Sequence, residues 1–147
     1  MVSFKFLTIL ATFFIAGYIF FSPYLSNIFF IEGLSMYPTF KGCTIIYADN
    51  EINPYLLEKG DIVIINLKGL EQKTTPYNII VHRVIINNNK TQKIATRGDN
   101  NKIYNYTTQV DGFFDYNRVM GKVDKYYNLP IFMCEIRNYP KNFINRF

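Results

Sequence analysis

The sequence has few of the residues that build structural metal centres. Its 147 residues include one histidine and two cysteines. The cysteines, Cys43 and Cys134, stand far apart and outside any CxxC motif. A structural zinc site needs four such ligands at characteristic spacings, so the sequence argues against a small zinc-stabilised domain. Two cysteines allow one disulfide bond but do not require it. Their number therefore does not indicate whether the protein resides in an oxidising or a reducing compartment.

A concentrated basic patch is also missing. The formal net charge is +5, but lysines and arginines are spread from Lys5 to Arg146. This distribution argues against nucleic acid as a partner and is compatible with a weakly basic surface beside an anionic membrane. Hydrophobic residues make up 49% of the chain and aromatic residues 18%, which argues against disorder and favours one folded domain with its own core.

An uncharged apolar segment stands near the N-terminus. Residues 6–21 carry no charged side chain, and residues 22–25 extend the segment to about 20 residues, near the length that a bilayer core requires. A cleaved signal peptide is the alternative, but the segment is long for one and no A-x-A-like site follows it. The pattern predicts a membrane anchor over residues 1–25. Lys5 favours a cytoplasmic N-terminus, with the remainder of the chain on the far side.

Long helical periodicity is missing from the middle of the chain. Short runs rich in Ile, Val and Tyr recur there, separated by Gly, Pro and Asn turn residues. We therefore expect a β-rich domain over residues 26–128. The predicted strands cover residues 44–47, 61–66, 78–86, 93–96 and 118–123.

The C-terminal part, residues 129–147, has a different pattern. Leu129, Phe132, Met133 and Ile136 fall at helical spacing. One interpretation is a short helix that closes the β core. The other is an amphipathic segment that contacts the membrane, since basic residues accompany the apolar ones.

Three polar residues are candidates for catalysis. Ser35 lies between Gly33 and Pro38, in a turn that can present a hydroxyl in one direction. His82 is the only histidine, in a strand-like run, and a serine needs such a base to become a nucleophile near neutral pH. Asp99 follows a predicted strand end, where a carboxylate could orient an imidazolium. Taken alone, each also has an ordinary structural explanation, as a turn residue, a strand histidine and a β-turn aspartate.

Five short motifs occur in order along the chain. They are Ser35-Met36-Tyr37-Pro38, Gly60-Asp61-Ile62-Val63, His82-Arg83-Val84, Gly98-Asp99-Asn100-Asn101 and Val119-Met120-Gly121-Lys122-Val123. In this order, behind an N-terminal apolar segment, they resemble the type I signal peptidase family across essentially the whole chain. Bacterial and mitochondrial members carry lysine where this chain has His82, so the resemblance is to the archaeal and endoplasmic-reticulum form. Residues 137–141 also look like the C-terminal region of the catalytic subunit of the signal peptidase complex.

The resemblance implies a fold and an activity. The fold would be mostly β, with coiled antiparallel sheets behind one N-terminal transmembrane helix. The activity would be that of a serine endopeptidase that cleaves signal peptides from secretory preproteins, with Ser35 as nucleophile, His82 as general base and Asp99 as the acid that orients His82. An extended substrate would pair with a strand edge near residues 31–35 and place small side chains in shallow pockets.

The resemblance also implies partners and a location. No metal or organic cofactor is implied. The expected partners are preproteins with signal peptides, the lipid bilayer and other subunits of a signal peptidase complex. The expected location is a membrane, crossed once, with the endoplasmic reticulum favoured over an archaeal plasma membrane and the catalytic domain on the lumenal or extracytoplasmic side. Asn89 and Asn105 both match the N-glycosylation pattern, and a glycan on either would place the domain in a lumen.

Three positions depart from the family pattern. Gly33 stands where relatives often carry a serine that helps to stabilise the oxyanion, so backbone N–H groups would take that role. Cys43 stands where Asp is usual, which we interpret as structural. Asn105 stands where Ser-His members carry a second Asp, so the acid is Asp99, Asp111 or no residue. The alternative to an active peptidase is a membrane-anchored scaffold that kept the fold and lost the acid.

Overall fold

The described part of the chain begins with a helix and continues into a β domain. The computed structural model describes residues 4–70, 78–101, 112–130 and 132–134. The helix is α1 (Phe4–Leu25), and two single 3-10 turns cover Pro54–Leu56 and Tyr116–Arg118. The strands are β1 (Ile28–Gly33), β2 (Gly42–Asp49), β3 (Ile62–Asn66), β4 (Ile79–Asn88), β5 (Lys93–Arg97), β6 (Gly112–Asp115) and β7 (Val119–Asn128).

These strands join in one curled antiparallel sheet. Its order is β1-β2-β7-β3-β4-β5-β6, so β7 lies between β2 and β3, and β1 and β6 are the outermost of the described strands. The prediction of a mostly β, antiparallel fold is confirmed. Of the C-terminal segment that the sequence suggests could be a helix, the structure describes residues 132–134, which are helical, and the remainder of that prediction lies outside the described residues.

The N-terminal segment is helical, as its uncharged composition predicts. The described residues do not bear out its prediction as a transmembrane helix. Among the residues that the structure describes, no helix has both the length and the apolar character that crossing a bilayer requires.

Side-chain alternation along the strands separates two buried clusters. Val63 in β3 and Val84 in β4 belong to the first cluster, whereas Ile64 and Val81 belong to the second. This alternation along β4 puts His82 on the face of Val84. The first cluster contains Leu57, Val63, Ile65, Leu67, Val84, Ile94, Phe114 and Tyr116. The second contains Met36, Phe40, Ile46, Ala48, Ile64 and Val81.

A disulfide bond joins Cys43 in β2 to Cys134, beyond the end of β7. The same region is tied by hydrogen bonds, since Leu129 N donates to the Cys43 carbonyl oxygen at 2.8 Å and Thr44 Oγ1 donates to Asn128 Oδ1 at 2.8 Å. The C-terminal end of the described chain is thereby fixed to the strand that follows the Ser35 turn. The interpretation of Cys43 as structural is confirmed.

We expect reduction of this disulfide to lower the free energy of unfolding. The two cysteines are 91 residues apart in sequence, and a crosslink closing so long a loop is worth roughly 4 kcal/mol through its constraint on the unfolded chain. Urea unfolding with and without dithiothreitol measures the effect. The double variant Cys43→Ala/Cys134→Ala is the control, and its unfolding should not respond to the reductant. A wild-type protein equally stable in both conditions would contradict the expectation.

Candidate active site

Ser35 lies in the turn that joins β1 to β2. Backbone hydrogen bonds close this turn, from Tyr37 N to Leu34 O at 3.0 Å and from Phe40 N to Met36 O at 2.9 Å. Met36 and Phe40 are 2% and 1% exposed and belong to the second buried cluster, whereas Ser35 itself is exposed. Two buried apolar side chains thus anchor the turn and leave the serine at the surface.

His82 lies beside this serine. It is in the middle of β4, it is 8% exposed, and its Nε2 atom is 3.1 Å from Ser35 Oγ. That separation is within the range expected for a nucleophile and its general base. Because β4 is an inner strand with β3 and β5 on its two sides, the imidazole is attached to rigid backbone. The fold therefore brings together two candidate residues that are far apart in sequence.

Gly98 packs against both residues. A Cβ atom at this position would lie 2.5 Å from the Ser35 carbonyl oxygen and 3.2 Å from His82 Nε2. Only glycine permits so close an approach of the backbone. Two residues later, Asn100 N donates to the same Ser35 carbonyl oxygen at 2.8 Å. Residues 98–100 therefore fix the position of the Ser35 turn relative to β4.

Asp99 is held by Arg83 and Thr39. Arg83 donates from Nε to Oδ1 at 2.8 Å and from Nη2 to Oδ2 at 2.6 Å, and Thr39 Oγ1 donates to Oδ2 at 2.6 Å. Arg83 Nη1 also donates to the Gly60 carbonyl oxygen at 2.7 Å. We call these four residues the Arg83 clamp. Because side chains alternate along β4, Arg83 leaves the strand on the face opposite to His82. The role of Asp99 as the acid that orients His82 stays a prediction.

The electrostatics of the Arg83 clamp keep its carboxylate charged. Burial raises the pKa of Asp99, but the hydrogen bonds from Arg83 and Thr39, with the charge of Arg83, outweigh burial and hold the pKa below its ordinary value of 3.8. The hydrogen bond to Asp99 in turn raises the pKa of Arg83. A carboxyl group with a depressed folded-state pKa contributes stability above its unfolded-state pKa, and this is lost as the pH falls through the folded-state pKa. The clamp is therefore intact at neutral pH and weakens in acid, as the pH falls through the lowered pKa of Asp99.

Asp99→Asn and Arg83→Gln should behave alike if the clamp positions the Ser35 turn. Each removes charged hydrogen bonds from a partly buried pair, so each should lower the free energy of unfolding by roughly 1–3 kcal/mol and lower peptide cleavage with it. Urea unfolding and initial cleavage rates measure the two effects. Asp115→Asn is the matched control, because its ion pair with Lys93 is 3.6 Å long and exposed and should contribute little. A loss of about 10⁴-fold in Asp99→Asn alone, with Arg83→Gln active, would instead assign Asp99 as the triad acid.

The structure describes two of the positions that depart from the signal peptidase pattern, Gly33 and Cys43. Gly33 has a φ of +133°, a backbone conformation that favours glycine, which is a local reason for glycine at this position. Asn105 and Asp111 lie outside the described residues. The structure therefore does not decide whether the acid is Asp99, Asp111 or no residue.

The sequence did not point to several residues that the fold brings to the site. Arg83 is part of the His82-Arg83-Val84 motif, but the sequence assigned it no role. Its position next to His82 was the one signal that could have indicated that it lies at the site. Gly98 stood in another motif, and its close approach to Ser35 follows only from the register of β4 and β5. Thr39 carried no distinguishing signal.

Within the described ranges, no group of three or more His, Cys, Asp or Glu side chains could hold a metal ion.

Comparison with known proteins assigns no function to this site. The chain matches no protein-family model, and no curated protein matches it significantly.

Proposed function

We propose that the protein is a serine endopeptidase of the signal peptidase I type, which removes signal peptides from secretory preproteins. The observation that carries the proposal is the 3.1 Å separation between Ser35 Oγ and His82 Nε2. An exposed hydroxyl beside a nearly buried imidazole is an arrangement that makes serine nucleophilic near neutral pH. The five ordered motifs, two of which supply this pair, support the choice of substrate class.

The proposed mechanism uses these two side chains in both half-reactions. His82 Nε2 takes the proton of Ser35 Oγ while Oγ attacks the scissile carbonyl carbon. The same proton then passes to the leaving amine, and the amino-terminal part of the substrate stays on Ser35 as an ester. A water molecule, deprotonated by His82, hydrolyses this ester and restores the serine. Gly33 has no side chain that could donate to the oxyanion, so backbone N–H groups of the Ser35 turn would have to do so.

The substrate that we propose is an extended peptide aligned along β1. This strand is one of the two outermost described strands of the sheet and leads directly into the Ser35 turn. A peptide added to such an edge gains backbone hydrogen bonds and presents alternate side chains to the protein. Leu34 and Tyr37, which flank Ser35 and are 61% and 50% exposed, would offer apolar contacts to it. We propose small side chains next to the cleaved bond, as in signal peptides.

Three features support a proposed location at a membrane, on the lumenal side of the endoplasmic reticulum or the outer face of an archaeal cell. The Cys43–Cys134 disulfide is of a kind that persists in oxidising compartments. Asn89, which begins an N-x-T sequence of the kind that is glycosylated in a lumen, is exposed in the turn between β4 and β5. Helix α1 exposes large apolar side chains, among them Phe13 and Tyr18, and lipid is the partner that we propose for them.

Cleavage of a defined preprotein tests the proposal. The purified protein, in detergent or liposomes, should convert a preprotein with a signal peptide into a mature form whose new N-terminus is read by mass spectrometry. The same preprotein with a bulky residue directly before the cut is the matched control and should stay intact. Equal cleavage of both substrates would contradict the proposed substrate class, and no cleavage of either would leave the proposed activity without support.

A further inference from the structure

A buried hydroxyl group lies close to the candidate catalytic pair. Thr96 in β5 is 0% exposed, and its Oγ1 atom makes no hydrogen bond to any of the residues that the structure describes. Burying a hydroxyl without a partner is destabilising, and native proteins keep few such groups. A valine would fill the same volume without that cost. The hydroxyl of Thr96 therefore does not stabilise the sheet, and its presence must have another reason.

The strand register places Thr96 on the same side of the sheet as His82. Thr96 pairs with Val84 across β4 and β5, and Arg97 pairs with Arg83. Since alternate side chains share a face, Thr96 shares its face with Val84 and His82. Gly98 confirms this geometry, because a Cβ atom there would lie 3.2 Å from His82 Nε2. Thr96 is thus the diagonal neighbour of His82, at a spacing that ring side chains can bridge.

The chemistry of the pair requires a particular form of the imidazole. Nε2 faces Ser35 Oγ, so it must be the unprotonated nitrogen if it is to take the serine proton. The neutral ring then carries its proton on Nδ1, where a hydrogen-bond acceptor stabilises that tautomer. A threonine hydroxyl has two lone pairs and can act as this acceptor. Of the candidate acids, the described residues include Asp99, and both of its carboxylate oxygens already accept hydrogen bonds in the Arg83 clamp.

We propose that Thr96 is a positioning residue of the active site. Its hydroxyl accepts the Nδ1–H of His82, directly or through one water molecule, and holds the tautomer whose Nε2 serves as the base. Hydrogen bonds of this kind are often long in a free enzyme and shorten in the substrate complex. The inference rests on the proposed Ser-His peptidase and deepens it, since it names the residue that orients the base.

Imidazole ¹⁵N NMR of three proteins tests the inference. The chain has a single histidine, so the resonances of His82 are unambiguous. At mildly alkaline pH, where histidine is ordinarily neutral, the wild type and Thr96→Ser should show the Nδ1–H tautomer. Thr96→Val, which removes the hydroxyl and keeps the shape, should shift the population towards Nε2–H. Its kcat should fall by roughly 10- to 100-fold at nearly constant KM, while its melting temperature stays the same or rises.

The outcomes separate this inference from the proposed function. A wild-type tautomer in Thr96→Val overturns the role of Thr96, whether or not the protein cleaves any peptide. A shifted tautomer, restored in Thr96→Ser, supports that role even if the wild type fails to cleave preproteins, in which case only the proposed function fails. Thr96→Ala removes the same hydroxyl and provides the same readout if Thr96→Val does not fold.

Discussion

Ser35→Ala and His82→Gln should each reduce peptide cleavage to near background, a loss of roughly 10⁴-fold or more in kcat/KM. In the proposed mechanism, Ser35 supplies the attacking oxygen, and His82, whose Nε2 is 3.1 Å from Ser35 Oγ, removes its proton. Neither group can act without the other, so the double variant should lose little more than either single variant. Initial cleavage rates of a signal-sequence peptide, for the wild type and the three variants, measure both effects.

A second serine and a folding assay serve as controls for this experiment. Ser26→Ala changes an exposed serine before β1 and should keep the wild-type rate. Ser35→Ala should retain the wild-type melting temperature because Ser35 is exposed. Near wild-type cleavage in Ser35→Ala or His82→Gln would contradict the pair. Losses that simply multiply in the double variant would show that the two residues act independently.

Gly98→Ala should disable the site although it adds a single methyl group. The new Cβ atom would lie 2.5 Å from the Ser35 carbonyl oxygen, a contact with backbone that cannot be relieved by a side-chain rotation. The Ser35 turn must therefore move away from residues 98–100, which breaks the hydrogen bond from Asn100 N and separates Ser35 Oγ from His82 Nε2. We expect a loss on the order of 10²-fold in kcat/KM. The free energy of unfolding should fall by about 1–3 kcal/mol, as measured by urea unfolding.

Gly17→Ala is the matched control for this glycine. Gly17 lies inside α1, where an added Cβ atom would have nothing within 4 Å, and alanine is about 1 kcal/mol more favourable than glycine in a helix. This variant should keep the wild-type cleavage rate. A wild-type rate in Gly98→Ala would mean that the close contact between Gly98 and the Ser35 turn is not part of the working site.

The sequence predicts five of the seven described strands and misses β1 and β6. Strands β3, β4 and β5 contain runs of apolar, buried residues, and their predicted bounds lie close to the observed ones. The predicted end of β7 falls short at residue 123, because the last five residues of the strand are exposed and carry no apolar alternation. Pairing with β2, rather than burial, extends β7 to Asn128. Strand β1 was missed because its apolar residues directly follow the apolar segment of α1.

The residues of the candidate site also fall into those that the sequence could identify and those that it could not. Ser35 and His82 could be identified because both stand in motifs with the residue types that serine catalysis needs. The partners of Asp99 could not, because they depend on which face of β4 carries Arg83 and on where the turn after β5 points. The contact at Gly98 and the position of Thr96 depend on strand register, which a single sequence does not specify. The Cys43–Cys134 bond depends on the spatial distance between residues 91 positions apart.

Detection of an acyl-enzyme on Ser35 tests the central claim most directly. Protein mixed with excess peptide ester and quenched in acid during turnover should gain the mass of the acyl group. Proteolytic mapping should place the added mass on Ser35, and the Ser35→Ala protein should show no adduct. An acyl group on another residue, or an unmodified Ser35 in a protein that is turning over substrate, would contradict the assignment of Ser35 as the nucleophile.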